Sequence, residues 1–465
     1  IKKTFDCYII QNNFEFPVFN SLGNLDSSKI FGKINYINKL NAKLFEYAQG
    51  NKNLIIQDIN YMSSQMGLEK WNNDTFFFNY KYVLSHEAIE ALTKNIFKII
   101  ESIYGNSKKC LILDFDNTIW GGVVGEVGWK NLEIGNSSPL GEVYLRFQNY
   151  IKELMNRGII IAGCTKNNYD VAMSAFKNKY NILKKENFSV IKANWENKAK
   201  NIIEISKELN INLNSMVFID DSKFERELVK KQLPMIEIPD IGNDPEKYIY
   251  HLDRGKYFEN INLSNEDLAR TKYYKRNLNR ENEKIKFKSY DQYLTTLKSQ
   301  SNLMSFSIDN FDRIVQLTNK TNQFNLTTKR MTLKEIKAIS KNPKFITITA
   351  DLSDKFGENG IVTILVGKIK NDVININQWL MSCRVFNRKL EFAVFDHLVK
   401  FCRKKGIKKI LGSYVKTTKN SIVENFFKTL MFKQITKNNN GSKWSYNIPK
   451  KYTNINKIIK IKNDK

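Results

Sequence analysis

The stretch Lys109 to Trp120, KCLILDFDNTIW, constrains this chain more than any other. Leu111, Ile112 and Leu113 form a short, continuous apolar run, which reads as a strand buried on both faces of a parallel sheet. The run ends on Asp114, Asp116 and Thr118, with Gly121 and Gly122 close behind. Two carboxylates one residue apart, followed by a hydroxyl, cannot all be packed into an apolar interior. This strand end therefore calls for a cation, a phosphate group or both. In an open α/β sheet, that is also the end where ligands bind.

The residues that follow repeat the pattern. From Leu140 to Asn156, apolar Leu140, Val143, Tyr144, Phe147, Ile151, Leu154 and Met155 recur at helical spacing, and Gly158 stands where a helix would stop. A strand over Ile159 to Cys164 ends in Thr165, Lys166, Asn167 and Asn168. A third, around Phe188 to Ile191, leads to a helix from Asn197 to Leu209, and MVFIDDSKFERE is a strand ending at Asp220 and Asp221 before another helix. This βαβα order predicts an α/β fold with a doubly wound parallel sheet. Asp114, Asp116, Thr165, Lys198, Asp220 and Asp221 would converge at its carboxyl edge. Taken singly, Thr165 could be a strand-end cap, Lys198 a solvated helix start, and Asp220 and Asp221 an N-cap pair. Their recurrence at successive strand ends is what favours a site.

The run DFDNTIWGGVVGEVGWKNLEIG resembles the first motif of the haloacid dehalogenase (HAD) superfamily, and is most similar to its FkbH-like, subfamily IIIC branch. The later motifs match in order and type. The resemblance implies a Mg²⁺ phosphotransferase site with no tightly bound organic cofactor. Asp114 would be the nucleophile, Asp116 the acid and base, and Lys198 the neutralising cation. Thr165, Lys166 and Asn167 would bind phosphate, and Asp114, Asp116, Asp220 and Asp221 would bind metal, Asp116 through its carbonyl. Such proteins are thought to take 1,3-bisphosphoglycerate and pass a glyceryl unit to the phosphopantetheine thiol of an acyl carrier protein. An enzyme-bound thioester would need a thiol near the metal, and Cys164 is the nearest in sequence. The other readings are a plain phosphatase on a small phosphorylated metabolite such as a sugar phosphate, and a non-catalytic carrier-docking scaffold.

The glycines of GGVVGEVGW suggest a hairpin flap over the site, and no segment between motifs is long enough for a large cap. With 465 residues, the chain is too long for one core. Residues 1–106 resemble an SGNH-hydrolase-like remnant without a glycine-flanked serine, in which NLIIQDINYM is a strand running into a polar loop and His86 opens a helix rather than serving as a base. A HAD-like domain over 107–255 is followed by a helical linker over 256–300. Residues 301–450 resemble a GNAT acyltransferase fold, and 451–465 form a basic tail, read as disordered from Pro449 on. In that second domain the glycines of the family's coenzyme A loop are replaced by Asn387 and Lys389, after Arg384. Asn322, Gln323, Asn325, Arg384, Arg388 and Lys389 remain as possible contacts for a phosphopantetheine group, and Cys383 reads as a strand residue.

The formal charge of +27 comes from lysines scattered among asparagines, the pattern of a solvated surface. It favours encounter with an acidic carrier protein and gives nucleic acid little weight. The five cysteines form no C-x-x-C pair, which points to a reducing cytoplasm, and no run is apolar enough to span a bilayer. The chain begins at Ile1 rather than Met, as a fragment or a processed chain would.

Overall fold

A computed structural model of the chain describes residues 7–51, 53–261 and 289–462, together with 268, 273, 274, 276, 277, 280, 283, 284, 286 and 287. It divides into two compact units, Ile1–Tyr104 with Glu259–Ile261, and Gly105–Phe258 with Asn262–Lys465.

In the first unit, strands β1 (Ile9–Asn12) and β2 (Leu54–Gln57) pair in parallel, helix α1 (Lys33–Gln49) lies against β2, and helix α2 (His86–Ile103) packs through Ala88 on Ile59 and Trp71. The polar loop expected after β2 is instead a helix, Ile59–Met66, because the Asp58 side chain accepts from the Tyr61 backbone N–H and caps it. His86 is the first helical residue of α2, behind the N-cap Ser85, and its ring lies 4.7 Å from that of Phe76.

The second unit holds two sheets. The first is parallel: β3 (Cys110–Leu113), β4 (Ile160–Thr165), β5 (Val190–Ala193) and β6 (Met216–Ile219), in the order β5-β4-β3-β6. Helix α3 (Pro139–Asn156) connects β3 to β4, a short helix over Tyr169–Ala175 lies between β4 and β5, α4 (Lys198–Leu209) connects β5 to β6, and α5 (Lys223–Gln232) follows β6. Residues of β3 alternate between two cores, as the pleat requires: Leu111 and Leu113 pack with Phe147 and Ile151 of α3, and Cys110 and Ile112 with Ile202 and Ile205 of α4. Both faces are covered, which is why these strands read as unbroken apolar runs. These three longer helices have side-chain caps: Ser138 caps α3, Asn197 caps α4 and Ser222 caps α5.

The second sheet is mainly antiparallel. It runs from β7 (Gln300–Ser301) and β8 (Leu303–Met304) through helices α6 (Phe311–Lys320) and α7 (Leu333–Lys341) to the meander β10 (Phe345–Asp354), β11 (Gly357–Lys370) and β12 (Val373–Met381). Helix α8 (Leu390–Lys404) then returns the chain to β13 (Lys409–Val415), which pairs with β12 in parallel over Val373 to Asn375 only. That meander, helix and parallel return are the order expected of a GNAT-like domain. Where β12 and β13 part, β9 (Phe324–Asn325) fills the gap. It pairs with Leu380 and Met381, and the next residue, Leu326, donates to Trp379 O at 3.1 Å and accepts from Val415 N at 2.8 Å.

Two further expectations change. The segment after Trp120 is not a strand hairpin. One bridge joins Gly121 to Glu133, and Val124–Val127 forms a single helical turn between Gly122 and Gly128, both at positive φ. The tail read as disordered is held down: Asp396, buried on α8, accepts from Tyr452 Oη and from the Ile455 and Asn456 N–H groups, and β14 (Lys460–Ile461) pairs in parallel with β7. Much of the linker expected over 256–300 lies outside the described residues, but Tyr290–Thr296 is helical. Among the described residues no helix is long and apolar enough to cross a membrane.

Candidate active site

The parallel register of β3 and β6 sets Leu113 beside Ile219, so Asp114 and Asp220 leave adjacent strands at the same level. The Asp114 N–H still continues the ladder, donating to Ile219 O at 2.9 Å. Beyond it, Phe115 turns into the core at 1% exposed, closely over Gly163 of β4, where an added Cβ would meet the Phe115 ring at 2.5 Å. The alternation places Asp114 and Asp116 on the opposite side, toward the sheet edge.

Asp114, Asp220 and Asp221 each present a carboxylate oxygen within 4.8 Å of the others. Lys198, 3% exposed at the start of α4, places Nζ 2.9 Å from Asp114 Oδ1 and 2.6 Å from Asp220 Oδ2. Burial would pull the Lys198 ammonium down, but these two carboxylates more than offset it and hold it charged. Burial, and then the charge of Asp114, push Asp220 up to about 7, and the same causes raise Asp221. Three carboxylates thus share one ammonium and remain an excess of negative charge in a poorly solvated place. Asp114 Oδ1 is buried without a hydrogen bond, the Lys198 ammonium being close but badly directed. An all-oxygen, anionic donor set with an unsatisfied lone pair fits a hard divalent cation such as Mg²⁺.

Asp116 lies apart from this cluster. Its Oδ1 accepts from Trp120 Nε1 at 2.9 Å and from the Val124 N–H at 3.1 Å, and its Oδ2 from Asn167 Nδ2 at 3.1 Å. Burial raises its pKa, the Trp120 bond offsets part of the rise, and Asp114 adds to it. The glycine-rich segment is therefore folded inward onto the carboxylate it was expected to cover. Of the residues expected to bind phosphate, Thr165 is buried at the end of β4, Lys166 pairs with Glu225 at 2.6 Å, and Asn167 is the donor that orients Asp116.

Other residues complete the site, and of these only Thr118 stood out in the sequence. Thr118 Oγ1 accepts from the Asp221 N–H at 3.2 Å and lies 3.4 Å from its Oδ1. Arg226, buried on α5, donates to the carbonyls of Asp220 and Asp221 at 2.8 and 2.7 Å. It fixes the backbone so that the side chains face Asp114. Asn117, at φ 54°, closes the turn by accepting from the Gly122 N–H at 2.8 Å.

Cys164 is corrected. Its thiol is fully buried among Ile202, Ile205 and Phe218, and burial pushes its pKa far up, so it offers no thiolate to an acyl group. The residues considered for phosphopantetheine separate into two sets. Asn322, Gln323 and Arg384 line one cavity. Asn325 is fully buried and closes a turn by accepting from the Thr328 N–H, Arg388 is bound to Asp354 beside Arg280, and Lys389 pairs with Asp291.

The N-terminal part of the protein BF1531 from Bacteroides fragilis, a structure containing a phosphatase domain complexed with Mg, is similar to this chain at 37% identity and a TM-score of 0.53, over 55% of this chain and 68% of that one. The chain belongs to the HAD-type phosphatases. The ribosomal-protein-S18-alanine N-acetyltransferase of Escherichia coli is similar at 10% identity and a TM-score of 0.26, over 34% of this chain and 99% of that one. An acetyltransferase of the GNAT family from Staphylococcus aureus is similar at 12% and 0.26, over 32% and 99%. No family model and no curated protein matches this HAD-type chain.

Proposed function

We propose that this chain is a Mg²⁺-dependent phosphotransferase that works through a phosphoryl group on Asp114. The observation that carries the proposal is the cluster of Asp114, Asp220 and Asp221 around Lys198 at one sheet edge. The Mg²⁺ bound to the similar Bacteroides fragilis domain supports the choice of metal. Mg²⁺, held by Asp114, Asp220 and Asp221, would draw charge from the phosphoryl oxygens and let the anionic nucleophile and substrate approach.

The steps at the protein's own groups follow from their chemistry. Asp114, paired with Lys198, attacks phosphorus as a carboxylate, and the bond from phosphorus to the leaving oxygen breaks. Asp116, whose pKa is raised and whose oxygens are fixed by Trp120, Val124 and Asn167, gives its proton to that oxygen. Asp116 then takes a proton from water as the water attacks the phosphoryl group. Inorganic phosphate leaves and Asp114 is restored.

The finer reading rests on the resemblance to FkbH-like proteins. A substrate of the 1,3-bisphosphoglycerate type would lose its phosphomonoester at Asp114. Its acyl phosphate would survive until the thiolate of a carrier's phosphopantetheine attacked the carbonyl carbon and displaced phosphate. The acyl group would pass without resting on Cys164, which is inaccessible. The test is to incubate the protein with Mg²⁺, bisphosphoglycerate and phosphopantetheinylated carrier, and to weigh the carrier. A glyceryl adduct that requires Asp114 supports loading. Phosphate release that ignores the carrier leaves a plain phosphatase.

A further inference from the structure

We propose that the cationic edge of the second sheet, where β13 begins, docks reversibly on the anionic surface of a lipid bilayer. Four neighbouring strands reach that edge together. Lys370, at the end of β11, pairs with Val373 of β12, Val373 pairs with Lys409 of β13, and Lys409 pairs with Asn447, the last residue of the strand Gly441–Asn447. Strands about 4.8 Å apart make this row roughly 15 Å wide. Lys404, Lys405 and Lys408 lead into it, and Lys450 and Lys451 leave it. The loops are tied to one another: the Lys408 N–H donates to Asp372 O at 2.8 Å, the Ile448 N–H to Lys408 O at 2.9 Å, and Arg403 Nη2 to Lys450 O at 2.6 Å.

Overall composition does not account for this edge. The whole chain carries 74 Lys and Arg against 47 Asp and Glu, whereas residues 370–373, 403–409 and 447–451 carry eight against one. That one, Asp372, lies 3.6 Å from Lys408, and among the described residues the other seven cations have no carboxylate partner. Arg403 and Lys404 complement the C-terminal dipole of α8, which explains two of the eight. Loop neighbours such as Lys450 and Lys451 stand within the Debye length of about 8 Å at physiological salt, so their fields add.

The chemistry of the edge selects the partner. Seven of the eight cations are lysines, hydrated point charges without the planar fork that arginine offers to a single phosphate. None of the described residues in these three segments is an exposed large apolar side chain. A specific protein interface sets apolar residues at its centre, and single-stranded nucleic acid needs exposed rings on which to stack. An anionic leaflet needs neither. It offers charge spread over a plane, which a row of turns at one end of a sheet can meet, and each lysine near it raises partitioning roughly fivefold. The aspartate cluster plays no part, so the inference stands without the reading of its chemistry.

Sedimentation of the full chain with lipid vesicles at about 0.1 M salt tests this. Vesicles of phosphatidylcholine with about 30% phosphatidylglycerol are expected to bind the chain about tenfold or more tightly than phosphatidylcholine alone, and about 0.5 M salt to remove most of that preference. Lys404→Gln, Lys405→Gln, Lys450→Gln and Lys451→Gln together should weaken binding about a hundredfold or more. Four exposed lysines on and just before α1 control for net charge: Lys29→Gln, Lys33→Gln, Lys39→Gln and Lys43→Gln together should weaken it less than about fivefold. No preference of the unaltered chain for anionic vesicles overturns the proposal, as does equal weakening in the two variants. Duplex DNA that binds the unaltered chain more tightly than the vesicles do, and is lost from the edge variant alone, assigns the edge to nucleic acid and also overturns it.

Discussion

Lys198 stands between two buried carboxylates, 2.6 Å from Asp220 and 2.9 Å from Asp114. With Lys198 at 4% side-chain exposure, its removal leaves two carboxylates facing each other out of water. Lys198→Met in EDTA at about pH 8 should lose roughly 3–5 kcal/mol in urea denaturation, more than a surface lysine would. Trp120 acts one step away, by holding Asp116. Trp120→Phe keeps the ring but not the N–H. A fall in kcat of about tenfold is expected, with the alkaline limb of the pH profile moving up, because the lost hydrogen bond had been lowering the Asp116 pKa. An unchanged profile would show that Trp120 only fills space. Asp114, Asp220 and Asp221 were legible because apolar runs end on them, and Lys198 because it opens the helix after the third run. Arg226 and the role of Asn167 were not, since neither interrupts a pattern: their value lies in carbonyls and a carboxylate brought close by folding.

At the scale of elements, Gly163 shows how little room the strands leave. Gly163→Ala would drive a methyl into the Phe115 ring and shift β4 against β3. A loss of about 1–3 kcal/mol in thermal or urea unfolding is expected, together with reduced phosphatase activity, since Phe115 separates Asp114 from Asp116. The parallel strands could be read from composition because both faces are buried. The segment after Trp120 could not. Its glycines suit a hairpin or a helical turn equally, and the choice falls to the helical turn because the Val124 N–H finds Asp116. The basic tail misleads for a similar reason: lysines dominate it, yet three donors meet the buried Asp396 and Ile459 is 5% exposed. Asp396→Ala should leave those N–H groups unpaired and cost about 2 kcal/mol, with proteolysis opening first near residue 452.

For the whole molecule, the acidic cluster ties stability to pH and metal. Asp220 stands at about 7, against about 3.9 for an unfolded aspartate, so the native state binds its proton more tightly. That contribution is complete below about pH 4 and is lost as pH rises through about 7. Mg²⁺ binds the ionised form, so the gain in Tm on adding Mg²⁺ should be larger at about pH 8 than at about pH 5.5, and Asp220→Asn should flatten the difference. A gain independent of pH would place the metal elsewhere. The central claim, phosphoryl transfer to Asp114, is tested most directly by peptide mapping after acid quench of the protein turning over a phosphomonoester, p-nitrophenyl phosphate, with Mg²⁺. The account predicts one phosphoryl group on the peptide containing Asp114, absent with EDTA and in Asp114→Asn. Turnover undiminished in Asp114→Asn, or a phosphoryl group on another residue, would contradict it.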